Sequence, residues 1–381
     1  MSEGGKSLLS SVAASALGAR PEPGKNLARL DDELSQLHMR GQWQYEQLLG
    51  RAIGGPRPMG DPYIWKWNTV YPKLIEACEA LPESQTARRS ILFENPGLKV
   101  HGTTHTLLMG IQIIKPGEVA WAHRHTMAAI RFVIRGDGKV HTVVDGEICP
   151  MENYDLILTP QWTWHDHHNP TQEPAIWLDA LDVPLVQSLN MPFYEPYPGD
   201  RVQALKEDRS QYLQERAAPL RPTWETAKKE NLPMLYRWKE TEARLRALMK
   251  TPGSPFDGVS LEYANPVTGG PTLSTLSCWI QMLRPGEKTR RHRHTSSAMY
   301  FVVRGEGATI VDEKTLEWEK HDSFVIPNWA WHEHINRSQS EEALLFSVND
   351  IPVLQAFGFY REEPENSLGA VAAPSPPAGK S

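Results

Sequence analysis

Nine of the 14 histidines fall in four short clusters, an arrangement that could hold a metal ion. The clusters contain His123, His125, His165, His167, His168, His292, His294, His332 and His334. Residues i and i+2 of a strand project from one face, so His123 and His125 converge if that face lines a barrel. His165 follows 40 positions later (165 − 125 = 40) and can complete a set of three. Neutral imidazoles bind divalent Fe, Mn, Cu, Ni or Zn, and three of them leave coordination positions open for other molecules.

The histidine pattern occurs twice because the chain contains an internal repeat. GEVAWAHRHTMAAIRFVIRGDG, from Gly117, matches GEKTRRHRHTSSAMYFVVRGEG, from Gly286, with an offset of 286 − 117 = 169. LILTPQWTWHDHHN, from Leu156, matches SFVIPNWAWHEHIN, from Ser323, with an offset of 323 − 156 = 167. Both copies show short runs of β-branched and aromatic residues between glycine-rich turns. Such runs predict an all-β sandwich or barrel in each copy.

The segments around the two copies differ from them in composition. Helix-type spacing of apolar residues runs from Leu30 to Ile53, and the stretch between the copies is rich in charge and proline. The last residues are rich in proline, alanine and serine, as disordered tails are. We therefore predict an N-terminal tail and helical arm at 1–60, a first barrel at 61–195, a helical linker at 196–250, a second barrel at 251–362 and a disordered tail at 363–381.

Composition excludes several classes of protein. The 381 residues include 40 Lys and Arg against 46 Asp and Glu, a net charge of −6 without a basic block, so we expect no nucleic-acid partner. No apolar stretch approaches the roughly 18–20 residues of a membrane helix. The three cysteines are far apart and form no CxxC pair, which argues against a disulfide framework and a thiolate zinc site. We expect a cytoplasmic protein with free thiols.

Two motifs carry a family resemblance. G-x5-H-x-H at Gly117, His123 and His125, followed by P-x-W-x-x-H-x3-N over 160–169, resembles the two motifs of the cupin superfamily. Two copies indicate a bicupin. Within the bicupins the chain resembles the gentisate 1,2-dioxygenase family, on the strings WKWNTVYP, RRSILFENPGL, HRHTMAAIRFVIRGDG, LDALDVPL and YANPVTGG. The resemblance implies an all-β fold of two tandem double-stranded β-helix (jelly-roll) barrels with an N-terminal helical arm.

The resemblance also implies an activity. The family contains ring-cleaving enzymes in which Fe(II), here held by His123, His125 and His165, serves to insert O2 between the carboxylate- and hydroxyl-bearing carbons of an ortho-hydroxy aromatic acid. Conversion of gentisate to maleylpyruvate is the reaction we expect. Salicylate, 5-nitrosalicylate and 1-hydroxy-2-naphthoate, which other members cleave, are alternative substrates. No organic cofactor is implied, and the family is commonly homotetrameric.

The resemblance assigns three further residues to substrate binding and catalysis. Typical cupins carry a glutamate ligand after H-x-H, where this chain has Arg131. Arginine cannot bind a cation, but it can hold a carboxylate through two parallel hydrogen bonds. The family match gives this role to Arg131 and adds Arg88 near the substrate. His167 is implied as an acid–base group near the substrate hydroxyl or oxygen. The apolar neighbours of Arg131 leave open which face of the strand it occupies.

The second copy departs from the first. His292, His294 and His332 repeat the three-histidine set, but Tyr300 stands in place of Arg131, so we leave open whether this copy binds a metal. Leu108 stands where some salicylate-cleaving relatives have tryptophan, which leaves the substrate open. Two other functions remain as alternatives: a manganese decarboxylase of the bicupin type, and a non-catalytic metal-binding bicupin.

Overall fold

The computed structural model describes residues 24–45, 54–81, 89–199, 201–206, 235–266 and 268–365. The chain divides into two units after Arg57. In the first unit, helix α1 spans Lys25–Gln36 and a 3-10 turn spans Gln42–Gln44. Our predicted helix from Leu30 to Ile53 is therefore too long. It ends early because the backbone turns left-handed at His38, with φ 55°. Residues 46–53 lie outside the described part of the chain.

The second unit contains two similar series of strands and helices. The first series is β1 (Tyr63–Trp65), α2 (Trp67–Ala80), β2 (Arg89–Phe93), β3 (Leu108–Ile114), β4 (Val119–His125), β5 (Ala129–Arg135), β6 (Asp137–Val144), β7 (Glu147–Glu152), β8 (Leu156–Thr159), β9 (His165–His168), β10 (Ala175–Leu181), α3 (Val183–Ser188) and β11 (Tyr194–Pro196). The second is β12 (Leu235–Tyr236), α4 (Trp238–Leu248), β13 (Val259–Glu262), β14 (Ser277–Leu283), β15 (His292–His294), β16 (Ala298–Arg304), β17 (Glu306–Val311), β18 (Lys314–Glu319), β19 (Ser323–Ile326), β20 (His332–Asn336), β21 (Ala343–Asn349), α5 (Ile351–Ala356) and β22 (Glu362–Pro364). In the described part of the chain, no helix is long and apolar enough to cross a membrane.

Each copy is built from a six-stranded and a five-stranded antiparallel sheet. The strand orders are β12-β8-β5-β10-β3-β2 and β11-β4-β9-β6-β7 in the first copy. In the second copy they are β1-β19-β16-β21-β14-β13 and β18-β17-β20-β15-β22. This arrangement confirms the all-β prediction of two tandem jelly-roll barrels.

The two copies exchange their first strands. Strand β1 pairs with β19 of the second copy, with Tyr63 opposite Val325, and β12 pairs with β8 of the first copy, with Leu235 opposite Ile157. The second series therefore begins at β12, inside the segment 196–250 that we predicted as a helical linker. From Leu235 onward the segment is therefore part of the second copy and not a linker, because strand β12 and helix α4 are the counterparts of β1 and α2.

Buried aspartates hold the exchanged segments in place. The Asp155 carboxylate accepts the main-chain N–H of Trp238 at 2.8 Å, and the Asp322 carboxylate accepts that of Trp67 at 2.7 Å. Each carboxylate satisfies an N–H in the first helical turn, where the helix dipole also favours a negative charge. Each barrel therefore anchors the helix that belongs to the other copy.

Our predicted start of the disordered tail, at residue 363, is too early. Glu363 and Pro364 belong to β22, which pairs with β15 of the second barrel. Arg293 on β15 also donates to the Glu363 carboxylate, a partly exposed contact beside this pairing. Residues 366–381 lie outside the described part of the chain.

Side-chain alternation on β5 decides which way the buried arginine points. Ile130 and Phe132 belong to the core between the two six-stranded sheets, where the Phe132 ring stacks on that of Phe346 with 4.0 Å between centroids. Val133 belongs instead to the interior of the first barrel. Arg131 shares its face, because successive side chains of a strand alternate. The structure thus resolves the ambiguity that two apolar neighbours leave in the sequence.

Candidate active site

Three imidazoles from two neighbouring strands meet inside the first barrel. His123 and His125 lie on β4, and His165 lies on β9 directly opposite His123. One ring nitrogen of each lies within 4.8 Å of those of the other two. The ring centroids of His123 and His165 are 4.1 Å apart, and those of His125 and His165 are 4.8 Å apart. All three side chains are buried. The set proposed from spacing alone is therefore assembled in space.

Main-chain carbonyls orient the three rings. The Nδ1 atoms of His123, His125 and His165 lie 2.9, 2.9 and 3.0 Å from the carbonyl oxygens of Trp121, Met127 and Thr163 respectively. A carbonyl oxygen can only accept, so each Nδ1 carries the hydrogen. Each Nε2 is then left with its lone pair, which is the state a metal requires.

His165 shows that this site fits a divalent cation. Its side chain is 1% exposed, and its Nε2 has no hydrogen-bond partner among the described residues. Burial, followed by the nearby basic groups of His123 and Arg131, holds the pKa of His165 well below its usual value. The ring is therefore neutral and presents an unshared electron pair to the other two imidazoles. A buried acceptor in this state is costly unless a cation or a donor satisfies it.

The turn before β9 sets the position of His165. The main-chain N–H of Trp162 donates to the carbonyl of His125 at 2.8 Å, which ties this turn to β4. Trp162 has φ 61°, a left-handed conformation that a non-glycine residue keeps only where its surroundings impose it. The guanidinium of Arg124 lies over its ring, 4.5 Å from the centroid, on the outer face of the barrel. The P-x-W-x-x-H motif thus forms a turn that positions its histidine.

Arg131 lies inside the barrel, close enough for its charge to depress the His165 pKa. It is 5% exposed and stands opposite Asp179 of β10, with 3.6 Å between Arg131 Nε and Asp179 Oδ1. The distance indicates an ion pair rather than a hydrogen bond. Trp177 Nε1–H donates to the same carboxylate at 3.1 Å. Asp179 was missed in the sequence, although a carboxylate within the apolar strand AIWLDAL is a usable signal.

His167 lies beside the triad on the same face of β9. Its ring centroid is 6.1 Å from that of His165 and 5.1 Å from that of Trp177. The Thr142 hydroxyl lies 2.8 Å from His167 Nδ1 and fixes the ring. The side chain is buried, whereas His168 is half-buried on the opposite face. The predicted acid–base residue is therefore near the triad without belonging to it.

The other predicted substrate residue, Arg88, lies outside the described residues. Its neighbour Arg89 is buried and donates from Nη1 to Glu118 Oε2 at 2.7 Å. Arg89 stands opposite Ile113, which belongs to the core between the sheets. Arg89 is therefore held in an ion pair on the side of β2 that faces away from the triad.

Leu108 faces the interior of the first barrel. Its neighbours Leu107 and Met109 belong to the core between the sheets, so alternation turns Leu108 the other way. The side chain is 7% exposed. This position presents an aliphatic group to the same interior as Arg131.

The second copy helps to hold a histidine of the first. Asp182 Oδ1 accepts the main-chain N–H of Ala128 at 2.9 Å, and its Oδ2 accepts the Thr275 hydroxyl at 2.6 Å. Ala128 follows Met127, whose carbonyl accepts from His125. Burial raises the pKa of Asp182 to about 6. Hydrogen bonds through Asp182 therefore connect the segment that holds His125 to a hydroxyl of the other barrel.

Comparisons with known proteins agree with this architecture. The family described as "Cupin domain" matches residues 110–181 and 279–349. The chain is 48% identical over 353 residues to 1-hydroxy-2-naphthoate 1,2-dioxygenase of Nocardioides sp. (strain KP7), covering 92% of this chain and 91% of the relative. It is 42% identical over 357 residues to 5-aminosalicylate 1,2-dioxygenase of Comamonas sp., covering 92% of each.

Two further comparisons extend the same family. A gentisate 1,2-dioxygenase of Aquipseudomonas alcaligenes is 35% identical over 310 residues, covering 81% of this chain and 88% of the relative. The crystal structure of salicylate 1,2-dioxygenase from Pseudoaminobacter salicylatoxidans with gentisate superposes with a TM-score of 0.80 at 30% identity, covering 92% of this chain and 97% of that one. With these relatives and two histidine-bearing cupin barrels, the chain belongs to the gentisate 1,2-dioxygenase family of bicupins, which are ring-cleaving 1,2-dioxygenases of ortho-hydroxy aromatic acids.

Proposed function

We propose that the first barrel is an Fe(II)-dependent active site that inserts both atoms of O2 between the carboxylate- and hydroxyl-bearing carbons of its substrate. The observation that carries this proposal is the convergence of three buried histidines, with one ring nitrogen of each within 4.8 Å of the others, beside a buried arginine. His123, His125 and His165 would hold the ion, which supplies open coordination positions and the redox capacity that reaction with O2 requires. Three neutral imidazoles without a glutamate ligand would leave the positive charge of the ion uncompensated, so the site favours an anionic substrate.

Arg131 would bind and orient the substrate carboxylate. A guanidinium can form two parallel charge-assisted hydrogen bonds with a carboxylate, and these fix the plane of the attached ring. The ion pair with Asp179 keeps Arg131 turned into the barrel before substrate arrives. Its burial among apolar side chains strengthens the attraction, because little water competes there.

His167 would exchange a proton with the substrate hydroxyl. Thr142 occupies its Nδ1, so Nε2 is the nitrogen that serves in this role. Arg88 keeps the second substrate-binding role implied by the family resemblance. Both assignments are proposals, and kinetics of the His167→Gln and Arg88→Gln variants test them. Unchanged kcat and KM would remove either residue from the site.

The first substrate to test is 1-hydroxy-2-naphthoate. The relative named for that substrate is 48% identical over 92% of the chain, and Leu108 offers an aliphatic contact to a second aromatic ring. Gentisate, our expectation from the sequence, is the second candidate, supported by relatives named gentisate 1,2-dioxygenase. Salicylate and 5-nitrosalicylate complete the set.

A substrate panel tests this proposal directly. Oxygen uptake is measured with each of the four acids under air, after loading with ferrous iron. We expect one O2 consumed per ring cleaved, with the highest kcat/KM on one of the two first candidates. No uptake with any ortho-hydroxy acid, or CO2 release from oxalate instead, would overturn the proposal in favour of the decarboxylase alternative. The non-catalytic alternative is set aside, because the relatives that cover 92% of the chain are dioxygenases.

Two expectations about the intact protein stay predictions. The family resemblance predicts a homotetramer, which the mass in solution by light scattering tests. The dispersed cysteines predict a cytoplasmic protein, which cell fractionation tests.

A further inference from the structure

A second group of three histidines converges inside the second barrel. His292 lies on β15 directly opposite His332 of β20, and His294 follows on β15. One ring nitrogen of each lies within 4.8 Å of those of the other two. The His332 ring centroid is 4.4 Å from that of His292 and 4.9 Å from that of His294. This geometry repeats that of the first barrel.

The second triad is also oriented for ligation. The Nδ1 atoms of His292, His294 and His332 lie 3.0, 2.8 and 3.0 Å from oxygens of Glu362, Ser296 and Ala330 respectively. The latter two oxygens are main-chain carbonyls and the first is a carboxylate, so each Nδ1 carries the hydrogen and each Nε2 keeps its lone pair. His292 is 2% exposed, and its Nε2 has no hydrogen-bond partner among the described residues. A buried acceptor is again aimed at a point shared by three imidazoles.

One carboxylate lies behind the second triad, where the first triad has a main-chain carbonyl. Glu362, from strand β22, accepts from His292 Nδ1–H where His123 of the first copy uses a main-chain carbonyl. The Tyr360 hydroxyl donates to the other Glu362 oxygen at 3.0 Å and fixes its position. A carboxylate behind a ligand histidine raises the basicity of the imidazole and strengthens metal binding.

Among the described residues, the position of Arg131 is occupied by a different side chain in the second barrel. Tyr300 occupies the position of Arg131, and its ring stacks on that of Phe324 with 4.7 Å between centroids. Ser347 stands opposite Tyr300, as Asp179 stands opposite Arg131 in the first copy. The two residues that would hold and orient a benzoate are therefore both replaced, while all three ligand positions are kept.

We propose that the second barrel binds a second divalent transition-metal ion through His292, His294 and His332, and that this centre does not bind the aromatic acid. The centre retains a cation through imidazoles backed by a carboxylate. It also links the barrel to β22, because Glu362 belongs to that strand. This inference goes beyond the proposed function and does not depend on turnover.

Metal counting tests the proposal independently of activity. The full chain is stripped with a chelator, loaded anaerobically with ferrous iron, desalted and analysed for iron. We expect about two ions per chain in the wild type, about one in His165→Ala, about one in His332→Ala and none in the double variant, since each triad binds one ion. One ion per chain in the wild type, or equal iron in the wild type and His332→Ala, would overturn the second centre. Failure of the substrate panel alone would leave this count unchanged.

Two more conservative variants test the same proposal without removing a ligand histidine, so they are less prone to misfold. Glu362→Gln removes the carboxylate behind His292, and Glu363→Gln removes the adjacent carboxylate that pairs with Arg293. Ferrous affinity is measured by competition with a chelating dye. We expect Glu362→Gln to weaken one of two binding events about 10-fold, as supporting groups behind ligands typically contribute, and Glu363→Gln to change neither. Equal effects of the two variants, or no effect of either, would contradict the proposal.

Discussion

At the scale of single residues, the active site depends on what each ligand histidine bonds at Nδ1. Carbonyl acceptors hold the rings of His123, His125 and His165 in one tautomer, and burial keeps His165 neutral. The sequence indicated these residues because H-x-H and a later histidine occur twice. It could not indicate the direction of Arg131 or that Asp179 would stand opposite it, because β5 and β10 are buried on both faces and lack polar–apolar alternation.

One prediction at this scale concerns the shape of the Arg131 side chain. Arg131→Lys keeps the charge beside Asp179 but loses the planar fork that holds a carboxylate. We expect kcat/KM for ortho-hydroxy acids to fall about 10- to 100-fold, the equivalent of one charge-assisted hydrogen bond, at an almost unchanged melting temperature. The matched control is Arg135→Lys, at the exposed end of the same strand. Equal kinetics of Arg131→Lys and wild type would remove the carboxylate-binding role.

At the scale of strands and helices, each barrel completes the other. The copies exchange β1 and β12, and each contributes a threonine to a buried aspartate of its partner: Thr275 to Asp182 and Thr106 to Asp350. Repeated glycine turns and apolar strands predicted the barrels themselves. The exchange was not predictable, because strands of two or three residues carry no signal for the sheet they join and tertiary pairing alone decides it.

The Thr275 hydroxyl provides a prediction at the scale of these elements. Thr275→Val leaves a buried oxygen of Asp182 without its donor, so we expect the free energy of unfolding to fall by about 1–3 kcal/mol. Ferrous affinity of the first site should fall as well, because Asp182 positions the loop that holds His125. Chemical denaturation and dye competition measure the two effects. Ser274→Ala removes the neighbouring hydroxyl, which accepts from the Gln161 side-chain amide at 3.1 Å, and should change neither quantity.

A loss of stability or ferrous affinity confined to Ser274→Ala, or a free energy of unfolding in Thr275→Val equal to that of the wild type, would show that the contact between the copies does not support the site.

The reciprocal variant, Thr106→Val, removes the donor to Asp350. It should destabilise the fold by a similar amount while affecting the second triad rather than the first, because Asp350 accepts from Ser297, next to the carbonyl that holds His294.

At the scale of the whole molecule, the two six-stranded sheets share one core, so the barrels should unfold together. A histidine lies at this junction: His321 Nε2 is 3.1 Å from the Tyr154 hydroxyl of the other copy, and its ring stacks on Phe301 with 5.6 Å between centroids. Burial, followed by the charge of Lys320, lowers the pKa of His321 to about 4. The imidazole is therefore neutral in the fold at physiological pH.

This histidine makes stability depend on pH. The unfolded imidazole takes up a proton below about pH 6.5, whereas the folded one does so only near pH 4, so unfolding binds a proton in this window. The contribution of His321 to the free energy of unfolding is therefore lost as the pH falls from 6.5 to 4. We expect metal-free wild type to lose about 1–2 kcal/mol more than His321→Asn over this range, after allowance for partial exposure to solvent. Asparagine suits the left-handed backbone at this position, φ 73°. Parallel pH profiles of the two proteins would contradict this role.

The most direct test of the central claim compares oxygen uptake by wild type with that by His123→Ala, both loaded with ferrous iron and supplied with the best acid of the panel. His123 stands opposite His165 and completes the first triad, so its loss should abolish ring cleavage and remove about one bound iron, while the second barrel keeps its own. Full turnover by His123→Ala would show that ring cleavage does not depend on a metal held by the first triad.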